Sequence, residues 1–349
     1  MEQQNNDSFL LKLPVELVNG ILELIPPIDR AVASLTCRSL RLILGKSDAH
    51  NLSTAQYLRY HVRVARDLPD RWVCEACFKL HPVSLGDTPL TPWRMTCPLR
   101  WDRWCHEVYG QQSRLDNRYL SVDHRHVQLA LKYTRLQDHW SRRHLHTLLA
   151  NHRDDEFPTH PYPYNRQNVL KVTYTVTPRV VRDQHENLRY MLRSVWHFRK
   201  DSMEISLVTV GDIKLCPHLA LLGDMRRMEV HQLDILQEIK RAILLNGIET
   251  YIAGCNLCAT DFKIAVHKDH ITVHTWQDMG TKGSPGDKAW RLHVSDSRFG
   301  MPPLGGRWPM FANPGSVRAL YNGAKRSPKP KAAPGVDNDL RPTGRSTNP

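Results

Sequence analysis

The sequence predicts a mixed α+β chain: helices first, then a helical Cys-rich segment, then a small antiparallel-sheet module, with zinc bracing the body. Three observations carry this. Leu17, Ile21, Leu24 and Ile25 recur at helical spacing near the start, whereas KVTYTVTPRVV and FKIAVHKDHITVHTW later alternate apolar and polar residues as half-buried strands do. Two Cys-x-x-Cys pairs, Cys74 with Cys77 and Cys255 with Cys258, have the spacing with which two thiolates grip one metal ion from a tight turn.

Composition bounds the partners. The chain of 349 residues, 41% hydrophobic, is long enough for two or three units with cores of their own. Lys and Arg number 48 against 35 Asp and Glu, and this net charge of +13 suits an acidic partner without identifying one. The most apolar stretch, FLLKLPVELVNGILELI, is interrupted by Lys12, Glu16, Asn19 and Glu23, so no membrane span is expected. The terminus MEQQNNDSF does not read as a secretory signal, and the expected location is cytoplasmic or nuclear. In such a reducing compartment the eight cysteines are expected to hold metal rather than pair as disulfides. No GxSxG, Walker-type GxxxxGK[ST], HExxH or Rossmann glycine set is found, and no enzymatic activity is expected.

Residues 1–8 are expected to be a disordered terminus. Pro14 suits a first helical turn, where its missing N–H costs nothing, and opens an amphipathic helix that Pro26-Pro27 ends. Asp29 is placed to cap a second helix striped by Val32, Leu35, Leu40 and Ile43. On pattern alone these helices form a hairpin docked on the protein's own core.

The residues themselves go further, because LKLPVELVNGILELIPPIDRAVASLTCRSLRLIL resembles the F-box. Leu13-Pro14 with Glu16-Leu17 looks like that family's LPxEL start, Ile21-Leu22 like its IL pair, and Leu35, Cys37-Arg38 and Leu40 like its closing helix. The tryptophan many members carry near the end is replaced here by Cys37-Arg38-Ser39-Leu40. The resemblance implies that residues 9–50 form a three-helix module whose exposed face binds a Skp-type adaptor and tethers the chain to a cullin-based ubiquitin ligase. Leu13, Pro14, Leu17, Ile21, Leu22, Leu35 and Leu40 are the adaptor-binding residues it implies.

Residues 51–152 are expected to be helical around the first Cys-x-x-Cys. Ser53 is a candidate cap for a linker helix with Leu58, Val62 and Ala65 in register. Cys74 and Cys77 form one half of a zinc site, and Cys97 and Cys105 are the expected second half, with His81 and His106 as substitutes. The alternative is buried structural thiols; a thioredoxin-like redox pair lacks the preceding Val/Ile-rich strand that fold requires. From Ser121 to about His152 the sequence reads as helix, with Val127, Leu131, Leu136, Trp140 and Leu148 buried and with His124, His126, His139, His144 and His146 on a solvated face. The Pro-rich FPTHPYPYNRQN is the expected connection to the next module.

Residues 153–321 read as α+β. KVTYTVTPRVV and MEISLVTVGDI are expected strands, FKIAVHKDHITVHTW a hairpin around Lys268-Asp269, and MEVHQLDILQEIKRAILLNGI a helix ended by Gly247. Cys216 and His218 with Cys255 and Cys258 make a second candidate zinc site; alternatively Cys216 and His218 merely pack, or the two Cys-x-x-Cys pairs share one metal. The layout of CPHL, CNLCATDFKI, TWQDMG and Trp290 is similar to fungal F-box-like proteins with a cysteine-rich body. Residues 322–349, poor in large apolar side chains and rich in Pro, Gly, Lys and Arg, are expected to be a disordered basic tail.

The function these expectations favour is the substrate-recognition subunit of a Skp–cullin–F-box ubiquitin ligase, with a protein substrate held by the zinc-braced body. The alternative is a zinc-dependent nucleic-acid-binding protein. It is less expected, because neither Cys pair is followed by the spacer and His pair of a finger. An oxidoreductase using Cys74 and Cys77 ranks third.

Overall fold

The computed structural model describes residues 9–44, 51–74, 77–92, 97, 114–117, 120–158, 171–199, 207–210, 213–221, 230–245, 248–281, 283–284, 286–294 and 313–323. The expected terminus 1–8 and the tail beyond 323 lie outside them, as do Cys105, His106 and Gly247.

The chain enters through a 3-10 turn, Phe9–Lys12, and three short helices: α1 (Val15–Glu23), α2 (Pro27–Ala33) and α3 (Arg38–Leu44). Pro14 and Pro26 stand at the N-caps of α1 and α2, where the lack of an N–H leaves nothing unpaired. Asp29 does not cap α2, contrary to expectation; Pro27 already opens that helix, and Asp29 lies in its first turn, where the carboxylate pairs with Arg63. Nor do Val32 to Ile43 form one helix: α2 ends at Ala33, Leu35 sits in the following turn, and α3 begins at Arg38. Val18, Leu22, Ile28 and Ala31 are buried within this unit. Helix α4 (Thr54–Ala65) packs on α2. Ser53 opens it through a reciprocal capping box: its hydroxyl accepts from the Gln56 N–H, and its own N–H donates to the Gln56 side chain at 2.9 Å.

A short hairpin, β1 (Arg71–Val73) with β2 (Leu80–Pro82), follows, then β3 (Arg114–Asn117) paired with β4 (Leu120–Asp123). The single helix expected after Ser121 is instead two, α5 (His124–Leu136) and α6 (His139–Leu148). Gln137 takes a left-handed conformation (φ 53°), and Asp138 starts α6 by accepting from the Ser141 N–H at 2.7 Å. Val127, Leu131 and Leu148 are buried as expected. Trp140, expected inside, is 66% exposed, because the break rotates it onto the outer side of α6.

Six strands form one antiparallel sheet in the order β10-β11-β12-β7-β6-β5. They are β5 (His152–Pro158), β6 (Lys171–Arg182), β7 (Leu188–Arg199), β10 (Glu249–Gly254), β11 (Thr260–Val266) and β12 (His270–Asp278). KVTYTVTPRVV and the β11–β12 hairpin stand where the alternation places them. Residues 207–210 of MEISLVTVGDI form a helical turn, α7 (Leu207–Val210), and not a strand. The small pair β8 (Lys214–Cys216) and β9 (Leu219–Ala220) and helix α8 (Val230–Leu244) lie between β7 and β10 in sequence.

One face of the sheet carries Val172, Tyr174, Val176, Tyr190, Leu192, Trp196, Phe198, Ile264 and Val273, all buried. It shares a single apolar core with Val127, Ala130 and Leu131 of α5, with Ile239 and Ile243 of α8 and with Trp290 of helix α9 (Lys288–Val294). On the opposite face, Met191 and Trp276 receive Val317 and Tyr321 of a last helix, α10 (Ser316–Tyr321). No described helix is long and apolar enough to cross a membrane.

Candidate metal centres and partner face

Two four-residue clusters bring metal-ligating atoms together. In the first, Cys74, Cys77, His81 and Cys97 place one ligand atom each, all within 4.8 Å of one another. Cys74 follows β1 and Cys77 lies in the β1–β2 turn, where the Phe78 N–H donates to the Cys74 carbonyl and the Cys74 N–H to the Lys79 carbonyl, both at 3.0 Å. Phe78 adopts the left-handed region (φ 55°), which tightens that turn. His81, cross-strand from Trp72, stacks near its ring at 5.0 Å, and its Nε2 lies 3.0 Å from Cys77 Sγ. The expected four-cysteine set is thus completed among the described residues by His81.

The second cluster joins Cys216 at the end of β8, His218 in the β8–β9 turn, and Cys255 and Cys258 in the β10–β11 turn, again within 4.8 Å. The two Cys-x-x-Cys pairs therefore serve separate clusters and do not share one metal. The Cys255 N–H donates to the Thr260 carbonyl and the Thr260 N–H to the Cys258 carbonyl, both at 2.8 Å, which folds the turn around the sulfurs. Burial pushes the Cys216 and Cys258 thiols well above their ordinary pKa, whereas hydrogen bonds from these two thiols hold that of Cys255 far below it. Burial also raises the Cys77 thiol.

Both sets suit a borderline-soft, four-coordinate ion: three sulfurs and one imidazole, with Cys77, His81 and His218 half-buried and the rest buried, and with edges compatible with the S···S distance of about 3.8 Å that a tetrahedron of 2.3 Å metal–sulfur bonds requires. Four protein ligands leave no open position, so the arrangement is structural in kind.

Each cluster has a supporting shell. Next to the first, Gln128 of α5 clamps Val73 from both sides, its carbonyl accepting the Val73 N–H at 3.0 Å and its amide donating to the Val73 carbonyl at 2.8 Å. Beside the second, the Cys258 sulfur lies 3.1 Å from the Thr260 hydroxyl, itself 3.1 Å from His293 Nε2. The His293 Nδ1–H donates to the Ala289 carbonyl at 2.7 Å, so Nε2 is left as an acceptor for Thr260.

The N-terminal helices present the other candidate site. Leu17 and Ile21 on α1 and Leu24 at its C-cap recur at i, i+4 and i+7, and all three are exposed, Leu17 by 56%. Leu13, Pro14 and Leu35 are exposed too, Leu35 by 52%, and Phe9 and Leu42 extend the apolar surface. Residues 10–50 match the F-box domain family model. The chain carries an F-box domain. No curated protein and no solved structure matches the chain.

Among the residues implied for the F-box partner face, five stand open to solvent, while Leu22 is buried in the F-box's own core and Leu40 is half-buried. Leu24 and Leu42, which are not among the residues implied for the partner face, are more exposed than Leu13, Leu17, Ile21 or Leu35.

Sequence reasoning missed a buried charged network between the first metal cluster and the sheet. His124, His126 and His144, expected on a solvated face, are buried, and so is Arg125. The physical reason is Asp87, in the loop after β2, and Asp123, the N-cap of α5, which Arg125 bridges. His126 accepts the Asp123 N–H on Nδ1 at 3.1 Å and donates from Nε2 to Asp87 at 3.2 Å, which fixes its tautomer. Burial alone would raise the Asp87 pKa, yet hydrogen bonds from Arg125 and His126 hold it well below the usual carboxylate range. His139 and His146 do face solvent.

Proposed function

We propose that the chain is the substrate-recognition subunit of a Skp–cullin–F-box ubiquitin ligase, that it performs no chemistry of its own, and that zinc in both Cys/His clusters braces the body that holds a protein substrate. The observation that carries this reading is the row of bare apolar side chains on the F-box. Leu13, Leu17, Ile21 and Leu35 remain exposed although the chain has ample core to bury them in, and a contiguous apolar patch usually marks an interface.

Contacts between the F-box and the body support it. Asp29 of α2 pairs with Arg63 of α4. The loop after α4 is gripped by α5: the Lys132 ammonium donates to the Leu68 carbonyl at 2.8 Å, and the Tyr133 hydroxyl to the Pro69 carbonyl at 2.9 Å. A substrate held on the body is then kept at a limited range of distances from the ligase, and the contribution to ubiquitin transfer is effective concentration.

The test is reconstitution. The full chain mixed with a Skp-type adaptor and a cullin should co-elute as one ternary complex on size exclusion. A chain that is folded by circular dichroism yet elutes apart from both refutes the reading.

A further inference from the structure

The two metal clusters are not equally shielded. In the second, Cys216, Cys255 and Cys258 are all buried and all belong to the main core. In the first, Cys74 and Cys97 are buried, but Cys77 and His81, both in the β1–β2 hairpin, are half-buried. Among the described cysteines Cys37 alone shares that degree of exposure, and it belongs to neither cluster. Cys77 is thus the one described sulfur that both stands with other metal-ligating atoms and can be reached by a solute in water.

Its position makes that exposure consequential. Helix α4, which packs on α2 of the F-box, also packs on β1, so the hairpin lies where the F-box helices meet the body. Its strands have three residues each, a ladder short enough to depend on ligands for its closure. The two ends of the hairpin are held independently of the cluster: Gln128 clamps Val73, and the Val83 N–H donates to the Asp70 carbonyl at 2.9 Å. Between them, the Cys77 sulfur and His81 Nε2 lie 3.0 Å apart on the side of the turn that reaches solvent.

We infer that the first Cys/His cluster is a peroxide-sensitive modification site, in which oxidation joins Cys77 to Cys74, releases the bound zinc and loosens the β1–β2 hairpin at the joint between F-box and body, while the second cluster keeps its ion. The inference rests on the reading of both clusters as zinc sites. A coordinating thiol is held as thiolate, the form that peroxide attacks, so Cys77 joins reactivity to access where Cys216, Cys255 and Cys258 have no access. The Cys77 thiolate attacks one oxygen of hydrogen peroxide: an S–O bond forms, the O–O bond breaks, and the departing hydroxide takes a proton from solvent to leave as water. The Cys74 thiolate, two residues away in Cys-x-x-Cys spacing, then attacks the resulting sulfenic acid; an S–S bond forms, the S–O bond breaks, and the second hydroxide is likewise protonated. The two sulfurs together lose two electrons, which reduce one peroxide to two waters. Cys97 and His81 then remain, two ligands where a closed tetrahedral site needs four. In a reducing compartment such a disulfide is transient, as a signal of oxidation has to be.

The test is a stepwise addition of hydrogen peroxide to the zinc-loaded full chain, with a chromogenic chelator reporting released zinc and differential alkylation with mass spectrometry mapping the state of all eight cysteines. One of the two bound ions should be lost together with formation of the Cys74–Cys77 disulfide, before any change at Cys216, Cys255 or Cys258, and a thiol reductant with added zinc should restore the starting state. Amide hydrogen exchange should quicken over residues 71–82 and stay unchanged in β10 and β11. The Cys37→Ser variant, altered outside both clusters, should respond as the unmodified chain does. Loss of the second cluster's ion first, first oxidation at Cys37 or Cys105 with both ions retained, or an oxidised hairpin whose exchange does not change overturns the inference. If the folded chain holds two zinc ions and peroxide releases neither, only this inference falls. If the folded chain holds no zinc, the zinc reading falls and this inference with it.

Discussion

Asp87 and Arg125 are both almost entirely buried, and neither can lose the other without cost. Asp87→Asn keeps the shape of the side chain but removes one of the carboxylates that Arg125 bridges, and should lower stability by about 3–5 kcal/mol in urea unfolding, the range for breaking a buried pair from one side. His126 makes a different prediction. Burial holds its pKa below 6.5 although the Asp87 hydrogen bond acts the other way, so the folded chain keeps it neutral where the unfolded chain takes up a proton. Its stabilising share is therefore present in full above about pH 6.5 and is lost as the pH falls toward the folded value. His126→Gln, which can still accept from Asp123 and donate to Asp87, should flatten the fall in melting temperature between pH 7 and pH 5 relative to the unmodified chain. An unchanged slope would show that other groups carry the acid sensitivity. None of this was legible in the sequence. A helix face of His and Arg is ordinarily solvated, and nothing in the segment LGDTP announces that Asp87 will meet it.

At the scale of elements, the metal clusters sit where short strands turn: the β1–β2 turn in one case, the β8–β9 and β10–β11 turns in the other. Strands of two or three residues have little ladder of their own, so ligands at their ends are an efficient way to fix them. A strong chelator should accordingly lower the melting temperature of the metal-loaded chain. Cys74→Ser with Cys77→Ser should remove about half of the bound zinc, and Cys255→Ser with Cys258→Ser the other half. Metal analysis that finds no zinc in folded protein would contradict this. The Cys-x-x-Cys pairs were plain from spacing, and Cys97, Cys216 and His218 were candidates from sequence with His81 as a substitute; what spacing could not settle is which of them meet, because tertiary contact decides it: His81 is placed by strand pairing with Trp72, and Cys216 with His218 by the packing of β8 on β11. Strand β7 escaped for a related reason. Its inward set, Tyr190, Leu192, Ser194, Trp196 and Phe198, alternates cleanly, but Met191 breaks the pattern by being buried on the other face under α10. Strand β10 is short and ends at Gly254, which leaves little periodicity to detect.

At the scale of the whole molecule, the F-box has its own small core in Val18, Leu22, Ile28 and Ala31 and leaves Leu13, Leu17, Ile21, Leu24 and Leu35 exposed, while the body is organised around one six-stranded sheet. The helical start and the later sheet were readable because each has its own period. The union of α5 with the sheet in one core was not, since it depends on Val127, Ala130 and Leu131 finding partners far along the chain. The central claim, that the exposed F-box face exists to bind an adaptor, is tested most directly by titrating the purified full chain with a Skp-type adaptor in a calorimeter, alongside the Leu17→Asp/Ile21→Asp double variant. Because both side chains are already exposed, the variant should melt at the same temperature as the unmodified chain, while desolvation of two carboxylates in an apolar interface should abolish measurable binding. Equal affinity of the variant and the unmodified chain would contradict the account.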